Sequence, residues 1–344
     1  MTFRPSPFRR LPSLVLTCTL VCSSVGAALV NVSNAAAASK SKSAEVTTLR
    51  YEPFPTILNF PELAESLGYL KGLKLDVVGE DQNGPQEIEA LAAGDLDFAA
   101  SFNGGIISAV AAGVKIKSVI DYLGDDGLAA GGIYVPTNSP ITSASQLVGK
   151  TVAYSPGTLA GSTVDTYLED NSISPSSVTT VSLTGLSEIA SLSQGTVSAG
   201  YLVGTAIAQA QSQTSLRALV SENTLYGLIG TCGIVFTDSF IKANPDTVKE
   251  FVAGVAKAIV WAQNHSTTQV INKYVAWLTV QGRTSDATAF AFWKADGLSR
   301  KGGVISSADF RPFATWLQKT GEIQPGQVEL KSVYTNEFNP YAQS

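Results

Sequence analysis

Histidine is all but missing from this chain: 344 residues contain one, His265. A zinc site or a histidine-based nucleophilic triad needs more ligands than that. No catalytic residue, metal or cofactor is therefore expected, and His265 reads as a surface residue at a helix end. Cysteine is nearly as scarce, with Cys18, Cys22 and Cys232 alone. If the first two leave with an N-terminal segment, Cys232 has no disulfide partner and the fold is held by its core. Charge is also low, at 15% of residues with a net of −5 and a pI near 5.0. A nucleic-acid partner would leave a basic footprint, and there is none. No glycine-rich lysine loop for phosphate is present either.

Between Arg10 and Lys40 there is no charge at all. Arg4, Arg9 and Arg10 form a positive start, Leu14 to Leu16 and Leu20-Val21 an apolar centre, and Asn34 to Ser39 a run of small residues. This is the pattern of an export signal over residues 1–38. A retained membrane anchor is the competing reading, which Pro12 and the scattered Ser, Thr and Gly argue against. Lipidation at Cys18 or Cys22 is a further alternative, although Thr17 and Val21 stand where a small residue is usual. Residues 39–46 read as a polar linker.

The stretch from Glu87 to Gly113 organises the rest. Ile88, Leu91 and Ala92 fall on one face of a short helix, and Gly94 suits its C-terminus. Leu96 and Phe98 alternate with Asp95 and Asp97 as a strand, and Ser101 to Gly105 reads as a turn opening a second helix. Glu188 to Val197 repeats the phrase 101 positions later, since 188 − 87 = 101. Leu67 and Leu168 share that offset, and Tyr51-Glu52-Pro53 matches Tyr154-Ser155-Pro156 at 103. Three matches in order predict a duplicated α/β domain.

Taken in order, Thr47–Tyr51 is a strand, and Asn59 with Glu62 resembles a capping box before a Leu63, Leu67, Leu70 helix. Strands follow at 73–78, 116–122 and 132–135, with Asp125-Asp126 in a solvated turn. Pro136 to Pro140 reads as a crossing into a second domain. There a strand ending at Tyr154 meets the loop Ser155 to Ser162, then a helix from Thr163. Gly230 to Gly233 reads as the return crossing. The tail is helical and holds all four tryptophans, read as packing residues. One discontinuous lobe thus spans 47–135 with 233–344, and a second spans 136–232.

Four strand ends run into helix N-termini: Glu52 to Asn59, Ser101 to Gly105, Ser155 to Thr163, and Gly204-Thr205. Two come from each lobe, which sets them across a cleft. Each hydroxyl alone reads as a helix cap; the set reads as a ligand site. The candidate ligand-binding residues are Glu52, Phe54, Asn59, Ser101, Phe102, Asn103, Tyr122, Ser155, Thr158, Ser162 and Thr205. Glu52 suits an amine, and Phe54, Phe102 and Tyr122 suit a ring or an apolar wall.

At this point the chain resembles the substrate-binding proteins of ATP-driven (ABC) importers, in the nitrate/sulfonate/taurine group that includes thiamine-pyrimidine-precursor binders. The phrases that carry the likeness are Glu65 to Leu70, Gly72 to Val77, Ala90 to Phe98, Ala112 to Val114, Leu147 to Ala153 and Asn244 to Val248. Ser198 departs from it, where members usually carry Asp. The resemblance implies a periplasmic-binding-protein type II-like α/β fold, hinge closure on a small molecule, and docking of the closed form on a membrane permease. It implies an exported protein in the periplasm or at the outer face of the cytoplasmic membrane. A monomer is expected. The ligand stays open between a small organic oxyanion, such as a sulfonate or aminosulfonate, and a heteroaromatic vitamin precursor. An enzyme on the same fold is the remote alternative.

Overall fold

A computed structural model describes residues 44–342, apart from 56, 82, 127–130, 184, 296 and 299. The expected signal segment lies outside the described residues. The first half of the chain alternates strand and helix: β1 (Thr48–Tyr51), α1 (Phe60–Ser66), β2 (Lys74–Val77), α2 (Gly84–Ala93), β3 (Ala99–Phe102), α3 (Asn103–Ala111) and β4 (Ile116–Gly124). After β5 (Gly132–Pro136) the same order recurs: β6 (Thr151–Ala153), α4 (Leu159–Asp170), β7 (Thr179–Val181), α5 (Gly185–Gln194), β8 (Ala199–Leu202), α6 (Thr205–Gln213) and β9 (Leu216–Ser221). A short α7 (Glu222–Tyr226) and β10 (Gly230–Thr237) lead to the tail: α8 (Asp238–Ala243), α9 (Pro245–Gln263), α10 (Thr267–Val280), α11 (Thr284–Phe290) and α12 (Arg311–Lys319).

The repeat read in the sequence is a repeat of elements. Helices α2 and α5 differ by 101 at both ends, 185 − 84 and 194 − 93. Their sheets share an order too. The second sheet runs β7-β6-β8-β5-β9, with β6 parallel to β7 and β8, and β5 antiparallel to β8 and β9. In the first half β1 pairs parallel with β2, and β10 lies antiparallel between β3 and β4. The Asp97 amide donates to the Arg50 carbonyl (2.9 Å), which sets β1 beside the residues leading into β3. Strand β10 thus fills in the first sheet the place that β5 fills in the second.

That exchange moves the crossings. The chain changes sheet between Gly124 and Gly132 and returns between Ser221 and Gly230. The crossing expected at 136–140 instead follows a strand already in the second sheet, and Gly230 already pairs in the first. Hydropathy marks β5 and β10 as buried strands, but nothing local marks which sheet they join.

Local patterns explain most elements. In β1, Leu49 and Tyr51 point inward while Thr48 and Arg50 do not, the period of a strand. Helix α2 starts at Asn83, whose side chain accepts from the Gln86 amide, and stops at Gly94 with φ of 85°, where a left-handed residue is needed. Its buried face is Glu87, Ile88 and Leu91; Ala92 is exposed. Asn59 does precede α1, but without a side-chain cap: its amide donates to the Phe54 carbonyl. Glu62, the expected capping partner, is fully buried instead.

The core of the first half is aromatic. Tyr51 stacks on Phe98 (5.1 Å), and Phe98 and Phe236 both pack on Phe251 of α9 (4.7 and 5.3 Å). Gly254 lets α9 approach this layer, because a Cβ there would stand 2.8 Å from the Tyr69 carbonyl oxygen. Trp293 and Trp316 are buried, and Trp261 and Trp277 pack half-buried on the core. His265 follows α9, stacked on Trp261 (4.1 Å). Among the described residues no helix is long and apolar enough to cross a membrane.

Candidate functional site

The two strand–helix repeats point the same ends of their sheets at one cavity of about 350 Å³. The first half lines it with Phe54, Glu80, Asp81, Ser101, Phe102 and Tyr122. Across it stand Tyr154, Ser155, Thr158, Glu188 and Tyr201, while Cys232 of β10 reaches the wall between them. Five helices begin at this wall: α2 at Asn83-Gly84, α3 after Phe102, α4 after Thr158, α5 at Gly185 and α6 between Val203 and Ala206. Their first-turn N–H groups have no partner within the helix.

The expected residues divide in two. Phe54, Ser101, Phe102, Tyr122, Ser155 and Thr158 line the cavity. Glu52, Asn59, Asn103, Ser162 and Thr205 do not. Ser101 is buried with its hydroxyl unpartnered. It sits in β3, which passes into α3 without the expected turn, and a Cβ at Gly84 would lie 2.4 Å from its Oγ. Asn103 is fully buried and donates to the carbonyls of Gly230 (3.0 Å) and Asp309 (3.2 Å), a structural tie. Helix α4 starts at Leu159, four residues before the expected start, so Ser162 lies inside it and donates to the Leu159 carbonyl. Thr158 donates to the Ser155 carbonyl (2.7 Å). Thr205 is buried behind the wall with its hydroxyl unpartnered.

Glu52 is half-buried against Gly79 and shares a hydrogen bond with Glu87. Asp81 and Glu87 are buried beside it, forming a knot of three acids on one side of the cleft. Burial first, then Glu52, pushes the Asp81 carboxyl up to about 7. Burial, the Glu52 hydrogen bond and the nearby Asp81 push Glu87 up to about 10. Opposite, Glu188 is pushed up to about 9 by burial, against one amide hydrogen bond from Tyr201. Behind Tyr201, whose hydroxyl donates to it (2.7 Å), buried Glu222 is pushed up to about 7, mostly by burial. Burial raises the Cys232 thiol, which therefore stays protonated. Asp125, expected in a solvated turn, is fully buried. The described lining contains no lysine or arginine.

Sequence reasoning missed Asp81, Glu188, Tyr154 and Tyr201. The signal for Glu188 was present, since it is the repeat partner of Glu87 in the first turn of the equivalent helix.

The description "NMT1/THI5 like" belongs to the family whose model matches residues 62–268. A protein of Bacillus subtilis (strain 168), named as an aliphatic sulfonates-binding protein, is 29% identical over 195 residues. That match covers 57% of this chain and 58% of the relative, so the chain spans little more than half the relative's length. The alkanesulfonate-binding protein SsuA from Xanthomonas axonopodis pv. citri, solved bound to MOPS, superposes with a TM-score of 0.65 at 20% identity, covering 85% of this chain and 99% of that one. The desulfurization enzyme DSZB superposes at 0.60 and 18%, covering 85% and 97%. The fold is thus that of the periplasmic solute-binding proteins, two α/β halves around a cleft.

Proposed function

This chain belongs to the NMT1/THI5-like family, and from that premise we propose that it is the extracytoplasmic solute-binding component of an ATP-driven importer. It closes its two halves over a small organic molecule that carries an amine or another N–H donor, and presents the closed form to a membrane permease. The observation that carries the ligand class is the lining: three acids from both sides, Glu80, Asp81 and Glu188, with no lysine or arginine among the described residues. An aminosulfonate fits best. Its amine meets the acids, and its sulfonate meets the helix N-termini. The name of the Bacillus relative supports the sulfonate end. A heteroaromatic vitamin precursor of the aminopyrimidine kind is the second reading, favoured by the rings of Phe54, Phe102, Tyr122, Tyr154 and Tyr201 around the cavity. Binding rather than turnover is favoured because the thiol on the described wall stays protonated and no histidine is among the described lining residues.

A thermal-shift screen with taurine, its amine-free analogue ethanesulfonate, nitrate and 4-amino-2-methylpyrimidine tests this. Stabilisation by an amine-bearing compound and little by ethanesulfonate or nitrate is expected. The reverse ranking overturns the ligand class.

The wall hydroxyl gives a second prediction. Ser101→Ala should weaken the ligand found in that screen by about 3- to 10-fold in calorimetry, the worth of one hydrogen bond. The empty variant should melt no lower than the parent, because an unpartnered buried hydroxyl is removed. Unchanged affinity would place Ser101 outside the ligand contacts.

A further inference from the structure

Glu188 is a buried carboxyl with no counter-charge on its own helix or on the three elements that helix packs against most, β5, β8 and α6. Its helix, α5, carries no other charged residue, and it packs on β5, β8 and α6. Strand β5 offers one titratable group, Tyr134, and β8 one, Tyr201, whose hydroxyl is already given to Glu222. Helix α6 offers none. The carboxyl lies over the β8 backbone, since a Cβ at Gly200 would stand 2.6 Å from its Oε1. It takes an amide hydrogen bond from Tyr201, yet Oε1 has no partner. The residue is 5% exposed and lines the cavity. A carboxylate held so dry and unpaired is neutral in the empty protein, because ionising it without a partner costs more than keeping its proton.

The geometry points to Glu188 as the group that exchanges its proton for the cationic end of the ligand. This rests on the amine-ligand reading above. On binding, the Glu188 O–H bond breaks and the proton leaves to solvent. The ligand ammonium then donates to the carboxylate it leaves behind, so the closed cleft gains one ion pair and the complex holds one proton fewer than the separate protein and ligand. Specificity follows: an uncharged analogue finds a neutral acid and gains no ion pair, whereas a bare anion leaves the acid protonated.

The test compares the full mature chain with Glu188→Gln, which mimics the protonated acid in shape. In the empty protein the parent should lose melting temperature relative to Glu188→Gln as pH rises from 5 to 8. The reason is that the carboxyl ionises freely when unfolded near 4.3 but not when folded below about 9. With taurine, an ammonium at pH 7, as probe, calorimetry of the parent at pH 7 in phosphate and in Tris should report release of about one proton per ligand. Glu188→Gln should release about one fewer and bind at least about tenfold more weakly. Melting curves whose separation is the same at pH 5 and pH 8 would show Glu188 ionised in the empty protein and overturn the inference. So would tight binding with equal proton release in both proteins. If taurine does not bind, the ammonium-ligand reading has failed while the melting arm still decides the state of Glu188.

Discussion

Arg300→Ala should be among the most destabilising single substitutions in the chain, lowering stability by about 3–5 kcal/mol. Arg300 bridges two buried acids, Asp309 and, at 3.6 Å, Asp121 of β4. Asp309 also accepts from the Gly230 amide at the start of β10 (3.0 Å). Its own carbonyl takes the Asn103 amide from the start of α3. The cluster therefore pins together the return crossing, the end of β4 and one wall of the cleft. Burial and the neighbouring Asp309 push the Asp121 carboxyl well up, and Arg300 opposes them. Without the guanidinium, two acids stay buried against each other. Urea unfolding of Arg300→Ala against Arg300→Ala with Asp121→Asn checks this. Partial recovery in the double variant is expected, and none would mean that Arg300 acts through packing alone.

Arg283→Ala should cost a similar amount, again about 3–5 kcal/mol, for the same reason. Its partner Glu62 is fully buried in α1 and is also held by the hydroxyls of Tyr51 (2.5 Å) and Tyr274. Arg283 reaches on to Asp286 (2.6 Å). Burial pushes the Glu62 carboxyl up, and Arg283 and the two hydroxyls oppose it. This knot joins β1 and α1 to α10 and α11, so its loss should free the tail helices before the rest unfolds. Hydrogen exchange should show protection lost first over Thr267–Phe290. Glu62→Gln with Arg283→Met, which removes both charges, should recover most of the loss. A double variant as weak as Arg283→Ala would show that the cost was not an uncompensated charge.

These two knots mark where the sequence stopped being informative. The helix–strand phrases around Glu87 and Glu188 were legible because hydrophobic spacing and a terminal glycine are local signals, and their 101-residue offset carried the pairing of α2 with α5. Ser101, Phe102, Ser155 and Thr158, which line the cavity, follow from the same logic, as residues where a strand meets a helix. Glu62 was misread because a capping box has the same spacing as a buried acid whose partners, Tyr274 and Arg283, lie more than 200 positions away. Asn103 and Ser162 stand away from the cavity for a related reason: Asn103 opens α3 but ties distant carbonyls of Gly230 and Asp309, and Ser162 lies inside α4 and bonds its own helix. Asp125 passed as a solvated turn because two adjacent acids carry no sign of what covers them. Glu52 stands just past β1 beside Asp81 and Glu87, yet the acids that line the cavity are Glu80, Asp81 and Glu188.

Small-angle scattering of the full mature chain, with and without a saturating ligand from the thermal-shift screen, tests closure of the two halves most directly. Ser101 and Asp81 on one side and Ser155 and Glu188 on the other line one cavity, and the proposed function has both sides close on one small molecule. The predicted result is a fall in the radius of gyration on adding an amine-bearing compound, with no change for ethanesulfonate at the same concentration. Saturating binding with an unchanged scattering curve, or no compound that binds at all, would contradict a cleft that works by closing.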